Sequence, residues 1–261
     1  MNYEQLEFDI VRWLKDYYYM YALDSFVVGV SGGIDSAVTS TLCAKTELPV
    51  HAVGMPLYQD TTQESLSDTH LEWLSMNYSN VRQHKFDLSD TFDSFLETMG
   101  PQFTTKHAEA NSRSRLRMIT LYQIAACQRG VVVGTGNKVE DYGVGFYTKY
   151  GDGGVDIAPI ADLYKTQVWG LGEYMGICKD IINAEPTDGL WDDKRTDESQ
   201  LGASYSDLEW VMENNISEDT ADEYDEAKRA AIKQYYKFNT MNKHKMLPIP
   251  TFKLESDYGV S

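Results

Sequence analysis

The sequence predicts an α/β fold, in which a doubly wound parallel sheet is followed by additional C-terminal helices. Short, continuously apolar and β-branched runs indicate strands that are buried on both faces of a sheet. Longer stretches at helical spacing alternate with these runs, and such alternation favours right-handed β-α-β units. After Gly136 a glycine-rich loop and a series of helical patterns replace the alternation. The sheet is therefore predicted in the first half of the chain.

Four strands and five helices account for this first half. Strands are predicted, in chain order, at residues 26–30, 50–55, 81–86 and 131–134. Helices are predicted at residues 4–21, 36–45, 63–77, 92–99 and 108–129. Pro56 closes the second strand and Gly100-Pro101 ends the fourth helix, because proline has no N–H to donate to a ladder or a helix.

The second half of the chain is predicted to be helical around one long loop. Helical patterns lie at residues 165–176, 178–184, 204–214 and 220–238. An acidic stretch at 185–202, which contains proline and glycine, separates the second of these helices from the third. Long loops of this kind often act as lids, so we expect this one to be mobile until a ligand binds.

Charge and composition exclude some classes of function. The chain has 261 residues, of which 42% are hydrophobic, enough for one large or two small domains with a packed core. Its 23 Lys and Arg against 40 Asp and Glu leave a net charge of −17. That balance argues against wrapping nucleic acid and against docking on an anionic membrane. Only the block of residues 101–150 is net basic, so a small anionic ligand held by local cations remains compatible.

The N-terminus and the cysteines favour a cytoplasmic protein. No apolar run reaches the ~18 residues of a transmembrane helix. The first ten residues carry three acidic side chains and no cationic segment, so a signal peptide is not expected. Cys43, Cys127 and Cys178 are widely spaced and form no C-x-x-C pair, which argues against a disulfide framework and against structural zinc.

The strongest local motif lies between the first strand and the helix after it. It consists of Gly29, Val30, Ser31, Gly32, Gly33, Ile34, Asp35 and Ser36. The paired glycines allow a close approach of the backbone, and the N–H groups at the following helix N-terminus make an anion site. The string lacks the lysine of a Walker loop. A carboxylate beside phosphates requires a metal ion between them, so Asp35 predicts Mg²⁺.

Motifs in the second half agree with this loop in order and spacing. They lie at residues 111–118, 134–140, 146–156, 163–166, 186–191 and 196–198, and at His244-Lys245. The phosphate loop resembles the pyrophosphatase loop of enzymes that adenylate a carboxylate or carbonyl oxygen. Taken together, the motifs closely resemble those of the ammonia-dependent NAD synthetases, from about Gly29 to Lys245.

The resemblance implies a fold, a reaction and a set of partners. The fold would be a Rossmann-like sheet of the adenine nucleotide alpha hydrolase type, as a single domain over residues 1–261, in a homodimer. The enzyme would be a carbon–nitrogen ligase of NAD biosynthesis, converting deamido-NAD, ATP and ammonia to NAD, AMP and pyrophosphate with Mg²⁺. Fewer than thirty residues precede the phosphate loop, which leaves no room for a glutaminase domain and favours free ammonia as the nitrogen donor.

The resemblance also implies roles for individual residues. The phosphate loop would hold the ATP phosphates, and Asp35 and Glu140 would bind Mg²⁺. Further ATP contacts are expected from Thr135, Lys165 and Thr187. The residues expected to contact deamido-NAD are Arg115, Lys149, Asp156, His244 and Lys245.

Three features depart from the family pattern. The segment of residues 141–148 is one residue longer than usual, which puts the loop around Glu140 in question. Gly54 stands where relatives often have an arginine, which removes a cation that could touch ATP. Arg195 replaces a common glutamine.

The chemistry needs two kinds of side chain. A carboxylate is a poor electrophile, so adenylation must first turn its oxygen into part of a good leaving group, AMP. Loop amides, Mg²⁺ and a lysine stabilise the charge that develops on the phosphates, and Asp35, Glu140 and Lys165 suit that role. Ammonia is mainly ammonium at pH 7, so a carboxylate that takes its proton would help, and we assign this role to Asp152 between Gly151 and Gly153.

Two alternatives remain open at this point. One is another adenylating enzyme with the same loop and a different acceptor, such as a tRNA base or another amide-forming substrate. The acidic charge and the lack of C-x-x-C pairs count against tRNA. The other is a non-catalytic nucleotide-binding protein, against which the intact Asp35, Glu140 and Lys165 count.

Overall fold

A computed structural model describes residues 1–58, 61–187, 189 and 196–253. Its central sheet has four parallel strands: β1 (Ser25–Gly29), β2 (Val50–Gly54), β3 (Val81–Lys85) and β4 (Gly130–Val133). The strands lie in the order β3-β2-β1-β4. The register aligns Val28 of β1 with Ala52 on one side and with Val133 on the other. All four predicted strands are confirmed.

Helices flank the sheet on both sides and continue after it. They are α1 (Tyr3–Met20), α2 (Ile34–Lys45), α3 (Thr61–Asn77), α4 (Ser89–Met99), α5 (Lys106–Cys127), α6 (Lys165–Tyr174), α7 (Lys179–Ile182), α8 (Asp197–Leu201), α9 (Tyr205–Glu213) and α10 (Glu226–Met246). In the part of the chain that is described, no helix is long and apolar enough to cross a membrane.

Alternate residues of β1 enter two separate cores, which is why its sequence is apolar throughout. Phe26 and Val28 pack into the larger core with residues of α1, α2, α3 and α6. Val27 points to the opposite face, where Phe92 of α4 and Leu121 of α5 cover it. Burial on both faces is the arrangement expected of a parallel sheet with helices on each side.

The C-terminal helices form a third layer beside the sheet. Tyr205 and Leu208 of α9 pack with Val139 and Val144, and with partly buried side chains of α10. The last helix begins later than the helix predicted at residue 220, because a 3₁₀ segment (Glu218–Glu223) precedes it, and it continues to Met246. Asp225 caps its first turn by accepting a hydrogen bond from the Lys228 N–H.

The strand order places a ligand site at the carboxyl ends of β1 and β4. The chain moves from β1 outward to β2 and β3, then returns to the other side of β1 with β4. Loops leaving β1 and β4 therefore separate in opposite directions and leave a crevice between them, the usual ligand position in open α/β sheets. Asp35 follows β1, and the segment of residues 134–140 follows β4.

Candidate active site

The phosphate loop is shaped by hydrogen bonds among its own residues. The Ser31 N–H donates to Ser36 Oγ at 3.1 Å, and Ser36 Oγ donates to the Gly33 carbonyl at 2.9 Å. Gly32 has a φ of +88°, and a Cβ at this position would lie 2.5 Å from the Gln63 carbonyl oxygen of α3. Only glycine fits that combination of backbone angle and close approach. The loop is thus tightly wound against α3 at the start of α2.

Three charged groups meet at the mouth of this loop. Lys165 Nζ donates to Asp35 Oδ2 at 2.5 Å and to Glu140 Oε1 at 3.0 Å. The lysine side chain is 3% exposed, whereas those of the two carboxylates are 17% and 16% exposed. The structure therefore brings together Asp35 after β1, Glu140 after β4 and Lys165 at the first position of α6.

Asn137 connects the two loops that carry the carboxylates. Its side-chain amide donates to Asp35 Oδ1 at 3.3 Å, while its oxygen accepts from the N–H groups of Val139 and Glu140. The side chain is fully buried, so these hydrogen bonds fix the position of the loop after β1 relative to the loop after β4. Asn137 lies within the motif of residues 134–140, but the sequence alone assigns it no role.

The charges of this cluster shift one another's pKa values. Burial raises the pKa of Asp35, and the negative charge of Glu140 adds to the rise, against the opposing effect of Lys165. Burial alone would raise the pKa of Glu140, but Lys165 and the Tyr205 hydroxyl outweigh it and lower that pKa. Burial alone would lower the pKa of Lys165, but the two carboxylates raise it, so the lysine stays charged.

Tyr205 completes the cluster from the third layer. Its hydroxyl donates to Glu140 Oε1 at 2.6 Å and lies 3.3 Å from Asp197 Oδ2. Lys165 Nζ stands 4.9 Å from the centre of the tyrosine ring, within reach of a cation–π interaction. Sequence reasoning missed Tyr205, because nothing local distinguishes it from the other tyrosines of the chain.

Asp152 lies on a second loop, where α5 holds it in place. Asp152 Oδ1 accepts from Ser114 Oγ at 2.6 Å and from the Thr148 N–H at 3.1 Å. Asp152 is exposed at the surface, yet the protein around its carboxyl raises the pKa of that group by desolvation, against the hydrogen bonds from Ser114 and Thr148. The negative charge of Glu140 makes a smaller contribution that also raises this pKa.

The other side chains predicted to bind the acceptor lie at several places around this second loop. Exposed Arg115 donates from Nε to the Lys149 carbonyl at 3.2 Å, and Lys149 Nζ lies 5.4 Å from the centre of the Tyr150 ring. Asp156 accepts from the Val132 N–H at 2.7 Å and from the Tyr122 hydroxyl at 3.0 Å, so it is anchored to β4 and α5.

The arginines around Arg115 have different surroundings. Arg113 is buried, with its guanidinium 5.8 and 5.5 Å from the Tyr58 and Phe92 ring centres. Arg117 donates from Nε to the Met55 carbonyl at 3.1 Å.

The end of α10 reaches the same loop with three polar side chains. Asn239 and Asn242 donate to the carbonyls of Gly143 and Val144 at 2.7 and 2.9 Å. Lys245 Nζ donates to the carbonyls of Gly145 and Tyr147 at 2.5 and 2.7 Å. These residues recur every third position and so share one face of the helix. His244 lies on the exposed surface of the same turn.

The remaining predicted ATP contacts, Thr135 and Thr187, are both half-buried. Thr135 follows β4, and Thr187 Oγ1 accepts from the Gly189 N–H at 3.2 Å.

Comparison with known proteins relates this chain to a known family. The sequence model of the family described as NAD synthase matches residues 7–248. The chain belongs to the NAD synthase family. The NH₃-dependent NAD⁺ synthetase of Carboxydothermus hydrogenoformans is 35% identical over 240 residues, which cover 91% of this chain and 96% of that protein.

Solved structures of similar proteins agree with the fold. The NMN synthetase from Francisella tularensis gives a TM-score of 0.84 at 30% identity, covering 97% of this chain and 100% of that one. The NH₃-dependent NAD synthetase from Campylobacter jejuni gives a TM-score of 0.76 at 23% identity, with coverage of 97% and 100%. The Rossmann-like α/β fold expected from the resemblance is therefore confirmed.

The structure gives a local account of two departures from the NAD synthase pattern. The longer segment after Glu140 forms a π-helical turn (Val139–Val144), which is wider than an α-turn and takes up an extra residue. At Gly54 a Cβ would lie 3.0 Å from Leu71 Cδ1, so an arginine here would have to displace a core side chain of α3. Arg195 lies outside the described residues, as does much of the predicted lid.

Proposed function

We propose that this chain makes NAD by ATP-dependent amidation of deamido-NAD with ammonia, releasing AMP and pyrophosphate. Membership of the NAD synthase family and the names of the NH₃-dependent relatives support this proposal. Those relatives are matched along 80–96% of their own length, which supports free ammonia as the donor and a single synthetase domain. The observation that carries the proposal is the meeting of Asp35, Glu140 and Lys165 beside the phosphate loop.

In the first step the nicotinate carboxylate attacks the α-phosphorus of ATP and pyrophosphate departs. The chain's part is to hold the phosphates and stabilise the charge that moves onto them. The loop of residues 29–36 would offer its amides, while Lys165 would turn from the carboxylates toward the phosphates. Its raised pKa keeps it cationic for this role at neutral pH. Thr135 and Thr187 are proposed as further ATP contacts.

The donor set suits a magnesium ion. Asp35 and Glu140 both place an oxygen within 3.0 Å of one cation, the Lys165 ammonium, and both are hard oxygen ligands of the type Mg²⁺ prefers. One ammonium carries too little charge for two carboxylates, and the pKa of Asp35 is raised by burial and, to a smaller extent, by the negative charge of Glu140. Bound Mg²⁺ would neutralise phosphate charge while Asp35 and Glu140 hold it.

In the second step ammonia attacks the acyl-adenylate, and AMP leaves. We assign the capture and deprotonation of ammonium to Asp152. Its Oδ1 is held by Ser114 and Thr148, which leaves Oδ2 to meet the nitrogen. Arg115, Lys149, Asp156, His244 and Lys245 are proposed to surround the acceptor. Lys245 and Asp156 are anchored to the backbone, so their contribution includes shaping the pocket.

We also propose a homodimer in a reducing cytoplasm. Exposed apolar side chains on and before α5, namely Phe103, Ile119 and Tyr122, support an interface there. Cys43, Cys127 and Cys178 are all free thiols, which supports the compartment. Light scattering tests the dimer, and a stable, fully active monomer would contradict it.

One assay tests the reaction. The protein is incubated with ATP, Mg²⁺, deamido-NAD and ammonium, and NAD and pyrophosphate are measured together. Equal amounts of both are expected. Release of pyrophosphate without NAD would indicate a different acceptor, and no pyrophosphate with any acceptor would favour a non-catalytic nucleotide-binding protein.

A second candidate function is amidation of nicotinate mononucleotide, which would yield NMN. The observation in its favour is the similarity to the NMN synthetase from Francisella tularensis along the whole of both chains. The first step and the catalytic groups would be the same, and only the acceptor would lack its adenylate half. The ratio of kcat/KM for the two acceptors decides between them, and we expect it to favour deamido-NAD.

A further inference from the structure

The Tyr205 hydroxyl lies between two carboxylates, that of Glu140, which we assign to Mg²⁺, and that of Asp197 at the start of α8. The tyrosine side chain is 1% exposed and its ring packs edge-on against Trp169, with 6.1 Å between ring centres. This packing fixes the ring and therefore the position of the hydroxyl oxygen. The hydroxyl oxygen lies 2.6 Å from Glu140 Oε1 and 3.3 Å from Asp197 Oδ2.

The hydroxyl has one proton for two acceptors. The shorter distance assigns it to Glu140, because hydrogen bonds from O–H to a charged oxygen are short and strong near 2.6 Å. Glu140 Oε1 also accepts from Lys165, so this oxygen is held by a tyrosine from α9 and a lysine from α6. If Lys165 turns away toward ATP, Tyr205 is the donor that continues to orient this oxygen.

Residues at the start of α8 fix Tyr205 in turn. Glu198 Oε1 accepts the Tyr205 backbone N–H at 2.8 Å, and the Asp197 N–H donates to the Pro186 carbonyl at 2.9 Å. The Thr-Asp-Glu motif of residues 196–198, to which sequence reasoning gave no role, thus supports the tyrosine on both its backbone and its hydroxyl.

We propose that Tyr205 is a positioning residue for the metal site, which orients Glu140 for Mg²⁺ and links that orientation to the Thr-Asp-Glu segment of residues 196–198. This inference rests on the proposed function of Asp35 and Glu140. Partners that orient a metal ligand are typically worth about 10–100-fold in metal affinity or activity. Removing the Tyr205 hydroxyl should therefore weaken metal binding while the fold persists, since the ring keeps its packing.

The test is the variant Tyr205→Phe, with Mn²⁺ as a spectroscopic probe in place of Mg²⁺. Binding of Mn²⁺ is followed by electron paramagnetic resonance in the presence of a non-hydrolysable ATP analogue. We expect the Kd to rise about 10–100-fold. We also expect kcat for pyrophosphate release to fall at saturating substrates, with the KM for the acceptor within about twofold of the wild type.

Tyr236→Phe is the matched control. Its hydroxyl donates to the Ile216 carbonyl at 2.7 Å, so the same atom is removed from a bond that touches no group of the site. Mn²⁺ affinity should not change in this variant. Equal Mn²⁺ affinity in Tyr205→Phe and wild type, or loss of the folded state in Tyr205→Phe by circular dichroism, would overturn the inference. A wild type that binds no Mn²⁺ would overturn the proposed metal site as well.

Discussion

The two halves of the candidate site are held in place by different means. In the phosphate loop, Ser36 binds residues only three and five positions away. In the acceptor loop, at residues 143–156, the partners are distant in sequence. Ser114 lies 38 residues from Asp152, and Lys245 lies 100 residues from Gly145. The first half is a local motif, and the second is assembled by α5 and α10.

This difference teaches which substitutions should affect which step. The phosphate loop should respond mainly to changes in its own residues and in the side chains that contact its carboxylates, such as Lys165 and Asn137. The assembled half depends on helices that hold loop carbonyls, so remote substitutions should affect the acceptor and leave ATP binding intact. The four predictions below test this separation, beginning with the largest effect.

Lys165→Met should impair the reaction of ATP at the phosphate loop. The variant removes a buried cation from two carboxylates and from the developing charge on the phosphates, so single-turnover pyrophosphate release should fall about 10³-fold. Removing one partner of a buried ion pair should also cost ~3–5 kcal/mol of unfolding free energy, measured by urea titration.

Lys138→Met is the control for this change, because Lys138 pairs with exposed Asp162 and such surface pairs contribute little. A fall below about tenfold in Lys165→Met would mean that the lysine does not act on the phosphates.

Asp152→Asn should separate the two steps. The isosteric amide can keep its oxygen toward Ser114 and Thr148, so the loop should stay in place. We expect NAD formation to fall about 10²-fold because the base is lost, while the first-turnover burst of pyrophosphate changes less than about threefold. Equal losses in both measurements would refute the role of Asp152 as the base.

Asn242→Ala should affect the acceptor loop and leave the phosphate loop unchanged. The variant leaves the buried Val144 carbonyl without its donor, a loss of ~1–1.5 kcal/mol in the ordering of the loop. The KM for deamido-NAD should rise roughly tenfold and the KM for ATP should stay within about twofold.

Asn214→Ala is the matched control for Asn242→Ala. The Asn214 side chain donates to the Trp210 carbonyl at the exposed end of α9, far in sequence from the acceptor loop, so its removal should change neither KM. An equal rise in both KM values for Asn242→Ala would show that the two halves are not independent.

Salt should produce the smallest effect. The net charge is −17, but the site relies on a few cations at short range, which salt screens weakly. Raising NaCl from 50 to 500 mM, about a threefold change in Debye length, should increase the KM values less than about threefold. A steep dependence would place the responsible charges on the surface, far from the loop.

The fold was largely predictable, since most strands and helices begin and end within two or three residues of the expected positions. Helix α2 starts at Ile34 rather than residue 36, because the loop turns directly into it. The π-helical turn at Val139–Val144 was expected to be an irregular loop. A π-turn is rare and has no distinctive side-chain pattern, and here three donors from α10 cover its carbonyls and those after it.

By itself the sequence determined the sheet, the phosphate loop and the identity of the charged groups, because apolar runs and short motifs act locally. Only the tertiary structure decided that Asn137 would connect Asp35 to Glu140, that Tyr205 would orient Glu140, and that Lys245 would hold backbone carbonyls. Such contacts join residues that are remote in sequence. They depend on how helices pack against one another, and side-chain packing leaves no local pattern to read.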